Sequence, residues 1–143
     1  MSRPIKAAIA DTGFWFAMCD QHDQYHPDSS RYEDYLERVT IVIPWPCMYE
    51  TLNTRFVSCA TTFTKFERCL KKYAIEYVDD HPYRDPAYEQ TMNFARIGKR
   101  PFSLVDMIIR FMLDDDNLKK HYLLTFNKED FRDVCSSKRI EML

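Results

Sequence analysis

With 143 residues, 45% apolar and 29% charged, the chain is expected to form one folded domain, residues 1–143, with a sizeable core. A net charge of −2 excludes a strongly basic, histone-like binder and leaves only local basic patches open. The five cysteines (19, 47, 59, 69, 135) form no CxxC pair, which suits reduced thiols and a cytoplasmic location. No apolar run approaches the roughly 20 residues of a membrane helix, and "MSRPIK" leads into too short a run for a signal peptide.

In chain order, "KAAIAD" (6–11) reads as a short buried strand and "TGFWFAMCD" (12–20) as a helix packed on the core. "HDQYHPDSS" (22–30) is a polar loop, followed by a helix over 31–39 capped by Asp28 or Ser29. "TIVI" (40–43) is a second strand, closed by "PWP". Residues 47–57 and 62–73 are helical, and Met48, Leu52 and Phe56 form the buried stripe of the first of these. "IEYV" (75–78) is a third strand. A helix over 85–98 starts at Asp85-Pro86 and ends at Gly98. "SLVDMIIRFML" (103–113) is apolar nearly all round and reads as a buried helix. "HYLLTF" (121–126) is a fourth strand, 128–136 a short helix and "RIEM" (139–142) a fifth strand.

Strands alternating with helices predict an α/β fold, a three-layer α/β/α sandwich on a mostly parallel sheet of four or five strands. This architecture decides the reading of "IADTG" (9–13). Asp-Thr-Gly after an apolar run is the signature of aspartic proteases, but those are nearly all strand with glycine-rich flaps, and this chain holds only Gly13 and Gly98.

In an open parallel sheet, function gathers beyond the carboxyl ends of the strands, where Asp11 lies. Glu50 follows the second strand, Asp106 opens the buried helix, and Asn127 and Asp130 follow the fourth strand. A charge at the position of Asp106 is costly unless something compensates it. Several acids on one crevice repel one another, which makes sense if they hold a cation; oxygen ligands suit magnesium or manganese. Structural alternatives stand beside this. Ser103-x-x-Asp106 fits a capping box, Asp106 is one turn from Arg110, Glu50 fits a solvated helix face, Asp130 a helix N-terminal charge and Asp11 a helix cap.

Taken together, "IADTGFWFA" (9–17), "YETLN" (49–53), "SLVDMII" (103–109) and "LLTFNKEDF" (123–131) resemble the PIN domain, in particular the compact VapC-like toxins, over nearly the whole chain. The resemblance implies metal-dependent endoribonuclease activity with one or two magnesium or manganese ions. It makes Asp11, Glu50 and Asp106 the first three acids and gives the fourth place to Asn127 or Asp130. Thr12 would orient Asp11 or a bound water, and Ser103 would support Asp106. It further implies an RNA substrate, a cognate antitoxin and a homodimer. A PIN-like binding module with decayed metal affinity, a DNA-directed nuclease and a housekeeping RNA-processing enzyme are the competing readings.

Four other features complete the reading. His22 and His26 have the i, i+4 spacing of zinc helices, but Pro27 and the lack of a third ligand favour a polar rim loop. Lys65, Arg68 and Lys72 fall on one helix face and, with Lys99 and Arg100, are candidates to meet an RNA backbone. Phe14, Trp15, Phe63 and Phe66 are expected in the core or at a subunit interface, and Asp114–Asp116 at a solvated helix end.

Overall fold

The computed structural model describes residues 6–143. The leading segment through Ile5, on which the signal-peptide reading rests, lies outside the described residues. Five strands form one sheet in the order β3-β2-β1-β4-β5, every pair parallel. They are β1 (Ala7–Ala10), β2 (Thr40–Pro44), β3 (Ile75–Val78), β4 (Tyr122–Leu124) and β5 (Glu141–Met142). Helices cover both faces, giving the three-layer sandwich expected from the alternating pattern.

The apolar run of β1 and the flanking runs of β2 and β4 explain why β1 is central. All four of its residues are buried, and Ile9 is in register with Val42 on one side and Leu123 on the other. Strand β1 feeds α1 (Thr12–Cys19), which packs on α4 (Trp45–Thr51) and α6 (Ala60–Lys72). Trp15 meets Phe66 edge-on at 5.2 Å, and Phe66 meets Phe56 at 5.6 Å. Phe14, Trp15 and Phe66 are therefore core residues, while Phe63 is 37% exposed. Each such edge-on aromatic pair adds about 0.5–1.5 kcal/mol to what burial alone gives. On the other side α7 (His81–Arg96) packs on α8 (Leu104–Asp114), and α8 on α9 (Arg132–Lys138).

Several expectations change. The helix over 31–39 is instead a chain of short pieces, α2 (His26–Ser29), a 3₁₀ turn over Ser30–Tyr32 and α3 (Glu33–Leu36), none with a side-chain cap. Pro27 sits in the first turn of α2, where its missing N–H costs nothing, so part of the expected loop is helical. The helix over 47–57 breaks into α4 and α5 (Thr54–Ser58), because the Asn53 side chain accepts the Phe56 N–H at 3.0 Å and starts a new helix. Leu52 is consequently exposed, and only Met48 and Phe56 of the predicted stripe are buried. Helix α7 begins at His81-Pro82, four residues before Asp85, and carries Pro86 inside it; Gly98, at φ 70°, ends it as expected. Arg139 closes α9 in the left-handed region at φ 57°, so β5 shrinks to two residues.

Candidate active site

Asp11 leaves β1 at its carboxyl end, where its backbone N–H donates to Leu124 O at 3.2 Å and extends the pairing with β4. Its carboxylate then does two structural things. Oδ1 accepts the Phe14 N–H at 2.8 Å, capping α1, and Oδ2 accepts the hydroxyl of Thr125, which follows β4. The cap reading and the crevice reading of Asp11 are thus both satisfied by one side chain. Burial pushes its carboxyl up to about 6 against those two hydrogen bonds, with the charges of Asp106 and Glu50 adding to the rise.

Glu50 projects from α4, and its Oε1 accepts the Thr12 hydroxyl at 2.7 Å. Thr12 therefore meets Glu50, where the resemblance implies Asp11 or a bound water as its partner. Asp106 lies in the first turn of α8, its backbone N–H donating to Ser103 Oγ at 3.0 Å. Burial, then the charge of Asp130, pushes Asp106 up to about 6, against the Ser103 hydrogen bond. The alternative partner Arg110 is committed elsewhere: it grips both oxygens of Asp133 at 2.7 Å and donates to Asp130 O.

Asp11, Thr12, Glu50, Asp106 and Asn127 line one cavity of about 360 Å³ at the carboxyl edge of the sheet, together with Asp23, Gln24 and Tyr25. Among the described residues, no lysine or arginine lines it. The two candidates for the fourth place are held differently. Asn127 lines the cavity, while the Asp130 carboxylate is taken by the Arg100 guanidinium and the Asn127 amide, near enough for its charge to raise Asp106.

Sequence reasoning gave Thr125 no role, although it stood within the quoted motif. Buried at 1% exposure, it donates to Asp11 and accepts the Asn127 N–H at 2.9 Å, joining the first and fourth positions. The signal was a threonine between a strand end and an Asx residue.

The basic candidates lie elsewhere. Phe66 and Cys69 turn inward from α6, which carries Lys65, Arg68 and Lys72 outward; Lys72 pairs with Glu37 at 3.4 Å. None of the three lines the acidic cavity, and neither does Lys99, which rests over the Phe94 ring. Arg100 reaches the site only through Asp130. His26 Nδ1 is bonded to Ala17 O at 2.7 Å, so the histidine spacing serves the loop. Asp114 and Asp116 pair with Lys138, and Asp115 accepts the Tyr83 hydroxyl.

Among the described residues, no three His, Cys, Asp or Glu side chains stand close enough to hold a metal ion as they are. The chemistry of the lining nonetheless suits a hard cation. It offers the carboxylates of Asp11, Asp23, Glu50 and Asp106 beside the Asn127 side chain, the charge of Glu50 adds to the rise of both Asp11 and Asp106, and among the described residues no lysine or arginine lines the cavity to offset them. Burial pushes the nearby Cys47 thiol far up, which disqualifies it as a nucleophile.

An all-parallel α/β/α sandwich with an acidic crevice at the strand ends defines the class of fold. No protein-family model matches the sequence, and no curated protein does. Solved structures do. VapC20 of Mycobacterium tuberculosis, described as a sarcin-ricin loop cleaving toxin, superposes with a TM-score of 0.64 at 14% identity, covering 88% of this chain and 94% of that one. VapBC2 of Rickettsia felis, bound to a DNA fragment from its promoter, gives 0.58 at 16% identity, covering 96% and 97%. The chain has the fold of these VapC proteins, the PIN-type fold its motifs resemble.

Proposed function

We propose that the chain is a metal-dependent endoribonuclease and the toxin of a toxin–antitoxin pair. The observation that carries this is the convergence of Asp11, Glu50, Asp106 and Asn127 on one cavity that, among the described residues, no lysine or arginine lines. The RNA-cleaving toxin among the proteins of like fold supports it.

Asp11, Glu50 and Asp106 would hold one or two magnesium or manganese ions, with Asn127 as a neutral fourth donor. Bound there, such an ion makes water a stronger nucleophile and offsets charge on the phosphate. The protein's own part is positioning. Thr125 and the Phe14 N–H fix the Asp11 carboxylate, and Thr12 fixes Glu50, each at the end of a rigid element. Arg100 draws Asp130 back from the cavity, leaving Asn127 at its wall.

Single-stranded RNA incubated with the purified chain and manganese should be cut. Asp11→Asn and Asp106→Asn should each lower the rate by about a hundredfold or more. Cleavage that persists in both variants, or in excess chelator, overturns the assignment. Asp130→Asn should cost far less than Asn127→Ala. The toxin reading adds growth arrest on expression and rescue by an antitoxin encoded beside it. A homodimer and a cytoplasmic location are part of the same proposal; no helix among the described residues is long and apolar enough to cross a membrane.

One observation favours a second reading. With Asn127 neutral and Asp130 tied to Arg100, the cavity has three lining acids of the assigned set, which suits a weak metal site in an RNA- or protein-binding module. Manganese titration by calorimetry separates the two: no heat and no cleavage would select the binder.

A further inference from the structure

A second cavity of about 430 Å³ adjoins the acidic one, and Asp23 and Gln24 belong to the walls of both. Its size lies in the range of small-ligand sites. Its floor is aromatic: Phe16 and Phe56, from α1 and α5, stand 5.9 Å apart. Its polar edge carries two carboxylates, Asp20 and Asp23, beside His22 and Gln24. Asp20 Oδ1 takes the His22 N–H and Asp23 Oδ1 takes the Tyr25 N–H, both at 2.9 Å, which leaves the other oxygen of each without a protein hydrogen bond among the described residues. Arg55, exposed at the margin, makes no ion pair among the described residues. Asn53 forms another part of the wall and is fixed at both ends, accepting the Phe56 N–H and donating to Glu50 O at 2.9 Å. The wall of this cavity is therefore continuous with the helix that carries Glu50.

We propose that this cavity is a nucleobase subsite that takes a base bearing an exocyclic amine, one nucleotide or so from the phosphate held at the acidic crevice. The proposal rests on the ribonuclease reading for the strand's placement. The chemistry selects the ligand. Aromatic carbon accepts the face of any base. Carboxylate oxygens accept N–H from the amino edge of cytosine or adenine and repel the carbonyl that uracil presents at the same place. Two carboxylates also disfavour a phosphate within the cavity, so Arg55 at its margin is left to meet the backbone of the same strand. An unpaired strand is required, because a base in a duplex cannot turn its edge into a closed pocket.

Cys59 supplies the test. It lines the cavity and is exposed, while Cys19, Cys47, Cys69 and Cys135 are buried. N-ethylmaleimide should thus modify Cys59 first and fill part of the cavity. The Glu50→Gln protein in magnesium, titrated with labelled octaribonucleotides, should bind oligo(C) about tenfold more tightly than oligo(U). Alkylation should collapse that ratio to within about twofold, and oligo(C) should protect Cys59 from the reagent. Cys59→Ser should show no response to the reagent. Arg55→Ala should weaken both oligonucleotides by a similar few-fold factor with a shallower salt dependence.

Equal affinity for the two oligonucleotides, or a ratio that survives alkylation, overturns the subsite. So does protection of Cys59 by a protein partner and never by RNA, which would give the cavity to a peptide. The two readings fail separately. Metal-dependent cleavage with no alkylation-sensitive preference keeps the nuclease and removes the subsite. An alkylation-sensitive preference without any cleavage keeps the subsite and removes the nuclease.

Discussion

Asp11 and Asp106 are held at a protonation cost that the metal-free protein must carry. Both are raised from the ordinary 3.8 to about 6, so between these values the folded chain binds more protons than the unfolded one. Their contribution to stability is fully present below pH 3.8 and is lost as the pH rises through about 6. For the buried Asp11 the loss is about 3 kcal/mol at most; for the partly exposed Asp106 it is nearer 1 kcal/mol. Melting of the chelator-treated protein should therefore show Tm falling from pH 4 to pH 7, and Asp106→Asn should flatten part of that slope. A Tm that climbs over this range would contradict the shifts. Thr125→Val isolates the other residue-scale device. It removes the donor to Asp11 and orphans the Asn127 N–H, so it should destabilise the fold by about 1–2 kcal/mol and lower cleavage by roughly tenfold, whereas Thr125→Ser restores both.

Among the elements, α7 carries a defect that the sequence disguised as a boundary. Asp85-Pro86 has the look of a helix start, yet the helix already runs from His81 and absorbs Pro86 near its first turns. There the missing N–H deprives the Pro82 carbonyl of its partner one turn on. Pro86→Ala should raise stability by about 1 kcal/mol, read as a higher denaturant midpoint at unchanged m-value; no gain would mean that the flanking turns already compensate. The same limit explains the other misread elements. Propensity resolves an eleven-residue helix such as α8, whose apolar content is unmistakable. It does not resolve the four-residue pieces of α2 and α3, or the break at Asn53, where one side-chain hydrogen bond decides the outcome.

For the molecule as a whole, the sheet order sets a gradient of stability. β1 lies between two partners and is wholly buried, whereas β3 and β5 form the edges, β5 with two residues. Amides of Ile9 and Ala10 should exchange only on global unfolding, and those of β5 by local opening; equal protection would refute the gradient. This same architecture is what made much of the site readable. Asp11, Glu50 and Asp106 could be assigned to a common crevice because each follows a predicted strand or opens a buried helix, and parallel strands put such points at one edge. What could not be read depends on contacts remote in sequence. The Thr125–Asp11 bond joins residues 114 apart, and whether Asn127 or Asp130 faces inward turns on Arg100, 30 residues away.

The two helices that flank the acidic crevice each carry one of the chain's two tryptophans: Trp15 within the helix that Asp11 caps, and Trp45 at the head of the helix that bears Glu50. One is wholly enclosed and the other is 41% exposed and stacked on Tyr77, so their emission differs in colour. A shift of either helix on loading of the crevice should change the emission of its own indole. The unlabelled protein thereby carries an optical gauge of crevice occupancy, readable without turnover.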